Sequence, residues 1–114
     1  MSSTLSEYLN QPVRVQVDRP LGSRHPEHPN LIYPLNYGYL PGTVAEDGEK
    51  IDAYIVGEFE PLSEYTGIVI AVIHRLNDRE DKLVVAKRPN QYSAEQVQAL
   101  TEFQERFFDF EILT

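Results

Sequence analysis

The 114-residue sequence predicts a β-rich α+β fold, a small β-barrel with a C-terminal helix packed on it, as a single domain over residues 1–114. Three features predict it. Val13, Val15 and Val17 alternate with Arg14, Gln16 and Asp18, the period of a half-buried strand. Three β-branched runs of strand length, "IDAYIVG", "TGIVIAVIHRL" and "KLVVAK", follow at close spacing, parted by "EFEPLSEY" and "NDRED". The period then changes once: Val97, Leu100, Phe103, Phe107 and Phe110 recur at spacings of three and four, a helical stripe expected to be core. Short strands followed by one helix suit a barrel with that helix laid against it.

Each remaining stretch has its own local logic. "STLSEYLNQ" is predicted to make one or two helical turns with a Ser or Thr cap. Pro20 ends the first strand, because it has no N–H for the ladder. "LGSRHPEHPN" reads as a Pro- and Gly-rich loop. "IYPLNYGYL" holds strand formers but is cut by Pro34 and Gly38, so a bent, irregular strand is expected, with Asn36 as a turn residue. Ser93 and Gln96 stand at the spacing of a capping box, which starts the helix.

Composition narrows the function classes. There are no cysteines, which excludes disulfides and thiolate metal sites and fits a reducing compartment. No apolar run approaches the roughly 18 residues of a membrane span. "MSSTLSEYLNQPV" has neither a basic nor an apolar leader region, so a cytoplasmic location is expected. The net charge of −8 repels a phosphate backbone, which disfavours nucleic-acid binding. It repels small anions too, unless cations stand between the carboxylates and the guest.

Chemistry concentrates in two acidic segments. In "DGEKID", Gly48 permits a tight turn, and folding back into a strand can converge Asp47, Glu49 and Asp52. Converging like charges is costly unless protons or a cation neutralise them. Mg²⁺ suits such hard oxygen donors and keeps water and phosphate in the rest of its shell. "NDREDK" supplies Asp78, Glu80 and Asp81 beside Lys82 on a neighbouring turn. Spacing alone does not separate a metal site from a pair of solvated acidic turns, and the oxygen intervals of an EF-hand are absent. Tyr33, Tyr37 and Tyr39 read on spacing as packing residues, though a buried phenol seeks a partner and can reach an oxyanion. His25, His28 and His74 are not spaced as a metal pair.

Taken together, "YPLNYGY" (Tyr33 to Tyr39), the D-G-x-x-x-D of Asp47 to Asp52, "DKLV" (Asp81 to Val84) and "VDR" (Val17 to Arg19) resemble the family I soluble inorganic pyrophosphatases. The resemblance covers about Val13 to Phe110 and implies an OB-like five-stranded barrel with its active site at the mouth. It implies Mg²⁺-dependent hydrolysis of pyrophosphate to two phosphates. Position by position, Asp47 and Asp52 fall where the family holds its central metal, and Glu49 where it places the proton-accepting aspartate. Asp78 matches the first metal-binding aspartate of the later loop. The second matches Glu80 if the chain is aligned on Lys82, or Asp81 with a one-residue slip. Arg19 and Lys82 fall at basic positions near phosphate, Tyr37 at a tyrosine that orders the site, and Tyr33 beside it as a substrate contact.

The pattern also departs. Family members are usually longer and begin with a further β segment bearing active-site charges. The family's Tyr-Lys phosphate contacts align with Phe107 and Phe108, and Arg24 is the residue placed to supply a substitute cation. Two other readings stay open: a nucleotide or polyphosphate as substrate, and a non-catalytic metal- or phosphate-binding relative. Symmetric homo-oligomers are common in the family, which leaves one open here, though the sequence does not show it.

Overall fold

A computed structural model of the protein describes residues 5–45, 48–77 and 80–114. A 3-10 turn at Leu5–Tyr8 leads into β1 (Pro12–Arg19), β2 (Asn36–Tyr39), β3 (Asp52–Ile55), β4 (Glu64–Arg75) and β5 (Lys82–Ala86). Helix α1 (Ala94–Glu105) and a short β6 (Phe110–Leu113) complete the chain. The sheet order is β1-β2-β3-β5-β4, and β1 also pairs with β4, so five strands close on themselves as expected. Closure works because β1 divides its length: Pro12 to Gln16 pair with β4, and Gln16 to Arg19 with β2. Among the described residues, only β3 and β5 run parallel.

The predicted β-branched runs become β3, β4 and β5, and side-chain alternation sorts them into two apolar clusters. Val15, Val17, Ala53, Ile55, Val69, Val72, Leu83 and Val85 share one. Tyr37, Tyr54, Ile70, Ile73, Val84 and Ala86 form the other, against which Val97, Leu100 and Phe103 of α1 pack. The capping box is formed, with the Ser93 hydroxyl accepting from the Gln96 amide and the Gln96 side chain accepting from the Ser93 amide. Gly38 is needed for a close approach: a Cβ there would collide with the Gln16 backbone carbonyl across the β1–β2 pair.

Two expectations are corrected. The helix ends at Glu105, so Phe107 and Phe110 do not continue its stripe; Phe107 is 65% exposed and Phe110 lies in β6. The cause is an unpaired edge. β1 covers only the first half of β4, up to Ile68, and β6 covers Val72 to Arg75. Asn36 is not a turn residue but a fully buried clamp inside β2. Its Oδ1 accepts from the amides of Leu21 and Leu62 at 3.0 Å each, and its Nδ2 donates to the Glu60 carbonyl at 2.9 Å. Three loop strands of backbone are thus tied to one side chain.

Candidate active site

Strand register builds the site on the face that looks toward α1. Arg19 lies opposite Tyr37, Tyr37 opposite Tyr54, and Asp52 opposite Lys82. The pleat then brings Arg19, Tyr37, Asp52 and Lys82 to one cavity of about 730 Å³. Arg75 and Glu80 from the end of β4 and the start of β5, and Gln104, Arg106, Phe107 and Phe108 from the end of α1, complete its walls. His25, Glu27, His28, Asn30 and Leu31 line it from the loop before β2. That loop is held by its own backbone ladder: His25 donates to the Leu31 carbonyl and Tyr33 to that of Ser23, both at 2.9 Å.

Lys82 is the hub. Its ammonium, 2% exposed, donates to Asp52 Oδ2 (3.0 Å), Glu80 Oε1 (2.7 Å) and the Tyr37 hydroxyl (2.6 Å). Tyr37 donates its own hydroxyl hydrogen bond to Asp52 Oδ2 at 2.9 Å. Arg75 continues the chain, donating to Glu80 Oε2 at 3.1 Å and gripping the wholly buried Glu105 through two bonds of 2.9 and 2.8 Å. Its guanidinium lies 3.6 Å from the centre of the Phe108 ring. From Glu105 the network returns: Tyr54 donates to Glu105, Gln104 to Tyr54, and Tyr33 to Gln104. Arg19 then donates to the Tyr33 hydroxyl at 2.7 Å, with its guanidinium against the Tyr33 and Tyr37 rings.

This arrangement splits the two carboxyl groups. Burial, which lifts both, is joined at Asp52 by the hydrogen bond it shares with Glu80, and Lys82 opposes; the net direction for Asp52 is up. For Glu80, burial also disfavours the charge, but Lys82, the shared bond with Asp52 and Arg75 outweigh it and hold the group at about 2. Glu80 is therefore the more firmly ionised of the two and Asp52 the more readily protonated. Tyr37 is pushed well above 10 by burial and by Asp52, so it stays a neutral donor.

The sequence-predicted residues divide. Arg19, Tyr37, Asp52, Glu80 and Lys82 meet in the cavity, and Tyr33 stands behind Arg19. Asp81 does not line it. One step along the pleat from Lys82, it approaches the His74 Nδ1 at 2.9 Å and accepts from the Arg75 amide. Arg24 donates to the Pro29 carbonyl within its own loop and also lies off the cavity. Glu49 is exposed beside Gly48, whose φ of +85° makes the expected turn, and does not line the cavity. Asp47 and Asp78 lie outside the described residues.

Sequence reasoning missed Arg75, Gln104 and Glu105. A signal existed for Arg75, since strand alternation puts it on the same face as Ile73. Among the described residues no group of three or more His, Asp or Glu is placed to hold a metal. Asp52 and Glu80 do converge, and their donors are the hard oxygens that Mg²⁺ takes. The donor set fits a divalent cation, with Lys82 now standing between them.

Fold and cavity together define a small closed barrel with a mixed-charge cleft under its helix. A family model described as inorganic pyrophosphatase matches residues 6–110, and the chain belongs to that family. It is 33% identical over 81 residues to the inorganic pyrophosphatase of Aeropyrum pernix, covering 71% of this chain and 42% of that one. It is 35% identical over 66 residues to that of Sulfolobus acidocaldarius, covering 58% and 33%. The chain thus spans less than half the length of these curated relatives. Among solved structures, the inorganic pyrophosphatase of Ehrlichia chaffeensis superposes with a TM-score of 0.69 at 16% identity, over 99% of this chain and 92% of that one. That of Neisseria gonorrhoeae gives 0.63 at 20%, over 82% and 72%. These superpositions carry the fold. No helix among the described residues is long and apolar enough to cross a membrane.

Proposed function

We propose that this protein is a Mg²⁺-dependent hydrolase of phosphoanhydrides that splits inorganic pyrophosphate, the simplest of them, to two phosphates, acting in the cytoplasm. The observation that carries the reading is the convergence of Asp52 and Glu80 on Lys82 and Tyr37, inside a cavity that also presents Arg19. Family membership supports it, and so do the names of the relatives. Asp52 and Glu80, with Asp47 and Asp78 added from the resemblance, are the residues that would hold the metal. When bound, Mg²⁺ screens phosphate charge and acidifies water.

The chain's own groups account for the rest. Glu80 is the more firmly ionised of the two carboxyl groups and Asp52 the more readily protonated, so the pair offers unlike oxygens side by side. Glu49, exposed beside Gly48, is the candidate acceptor of the water's proton. Arg19 and Lys82 stabilise charge gathering on the phosphoryl oxygens, and Tyr37 holds Asp52 and Lys82 in register. Tyr33 fixes the Arg19 guanidinium. Arg24 has no place in this scheme unless its loop rearranges, and Asp81 serves β4 through His74 and the Arg75 amide. The −8 charge supports a small anionic substrate delivered with cations over any nucleic-acid partner. A homo-oligomer is proposed from the family's habit.

The test is phosphate release from pyrophosphate with and without Mg²⁺, with Asp52→Asn beside the wild type. The expected result is Mg²⁺-dependent release that Asp52→Asn lowers by roughly 100-fold or more, the scale of one lost charge-stabilising group. Equal rates in the two proteins contradict the reading. Pyrophosphate binding with no release at all identifies a non-catalytic relative.

A further inference from the structure

The charged end of the cavity holds Arg19, Asp52, Glu80 and Lys82, but the walls continue to Leu31, Phe107 and Phe108. Phe107 is 65% exposed while lining the cavity, and Arg106 lies 5.0 Å from its ring centre. Across from the helix end, His25 and His28 present rings whose centres are 4.8 Å apart, and His25 stacks on Tyr33. The His25 Nδ1 accepts from the Glu27 amide at 3.0 Å, so the neutral ring carries its proton on Nε2. A cavity of about 730 Å³ with apolar and aromatic walls and a few polar groups has the size and make-up of an organic-ligand site. An inorganic anion gains nothing from Phe107 or Leu31. A planar heterocycle gains stacking from the aromatic rings, and Glu27 and Asn30 beside them offer an acceptor and a donor for its edge.

We propose that the phosphoanhydride taken by this site carries a planar organic group, of the nucleoside di- or triphosphate class, seated against Phe107 and the His25–Leu31 loop. This rests on the phosphoanhydride reading above and names its substrate class. In the reaction, the oxygen of one water bonds to the terminal phosphorus and the bridging P–O bond breaks. The shortened nucleotide keeps the bridging oxygen, orthophosphate leaves, and the proton released passes to solvent.

The experiment measures kcat/KM with Mg²⁺ for pyrophosphate, tripolyphosphate, ADP and ATP, on the wild type and on Phe107→Ala. Binding of ADP and pyrophosphate to both proteins is measured by calorimetry with Ca²⁺ in place of Mg²⁺. Phe107 is exposed, so its truncation leaves the fold intact, which a thermal melt checks. The expected result is a nucleotide kcat/KM above those of pyrophosphate and tripolyphosphate. Phe107→Ala should lower the ADP-to-pyrophosphate ratio roughly tenfold, in rate and in affinity, the scale of one lost base–aromatic stack. A preference for pyrophosphate or tripolyphosphate over both nucleotides, or a ratio that Phe107→Ala does not move, overturns the inference and leaves the phosphoanhydride reading standing. No release from any of the four overturns both.

Discussion

Glu105 has no accessible surface and carries the bidentate pair with Arg75, itself 3% exposed. Neither charge can reach water: Glu105 is held by Arg75 and by Tyr54, whose hydroxyl is 2.6 Å away, and Arg75 by Glu105 and Glu80. Glu105→Gln keeps the shape and removes the charge. It should destabilise the fold by about 3–5 kcal/mol, because it leaves the buried Arg75 with only the partly exposed Glu80 as counter-charge among its described carboxylate partners. Urea denaturation checks this, and a loss below about 1 kcal/mol contradicts the account, being no more than an exposed pair is worth. The same residue shows why part of the site was illegible. Asp52, Lys82, Tyr37 and Arg19 could be placed from the resemblance. Glu105 lies 30 residues from Arg75 and 51 from Tyr54, and nothing local marks it as buried. Its neighbour Gln104 is likewise explained only by contacts with Tyr33 and Tyr54.

At the scale of elements, β1–β2 pairing sets the position of Arg19 relative to Tyr37. Gly38 permits it, since a Cβ at that position meets the Gln16 carbonyl and the Val17 Cα, both backbone. Gly38→Ala should therefore spread β1 from β2. The expected outcome is a lower melting temperature together with a raised KM for pyrophosphate, as Arg19 drifts from the cavity. An unchanged melt and KM contradict that role. Strand existence was readable here because hydrophobic period is local. The fate of residues 106–113 was not, because it depends on which half of the β4 edge β1 leaves bare. Phe107 and Phe110 fit a helical period well, yet Phe110 pairs with Arg75 in the sheet. Asn36 misled for a related reason: its turn-forming side chain serves turns, but those of Leu21, Glu60 and Leu62 rather than its own.

Across the whole molecule, the buried phenols give stability a pH limit. Burial raises Tyr37 and Tyr54 well above 10, and burial with the Glu58 bond raises Tyr65 to about 12. A raised folded value means that the native state holds these protons more tightly than the unfolded chain. Their contribution is complete below pH 10 and is lost as pH climbs through the folded values. The melting temperature should thus fall progressively from about pH 10 to 12. Tyr65→Phe should blunt only a part of that fall, because Tyr37 and Tyr54 still titrate. A flat profile across this range contradicts the burial described. The five-strand closure was legible from strand count and resemblance together. The parallel β3–β5 pair that sets Asp52 beside Lys82 was not, since no local period reports strand order.

Everything about the chemistry depends on Asp52 and Glu80 closing on a divalent cation. Mn²⁺ is a stand-in that scatters anomalously, and crystals grown with it locate the ion without reference to activity. The account predicts an anomalous peak bonded at roughly 2.0–2.3 Å to carboxylate oxygens of both Asp52 and Glu80, with Lys82 displaced from between them. A map with no peak at those carboxylates, and Lys82 still bridging them, contradicts it.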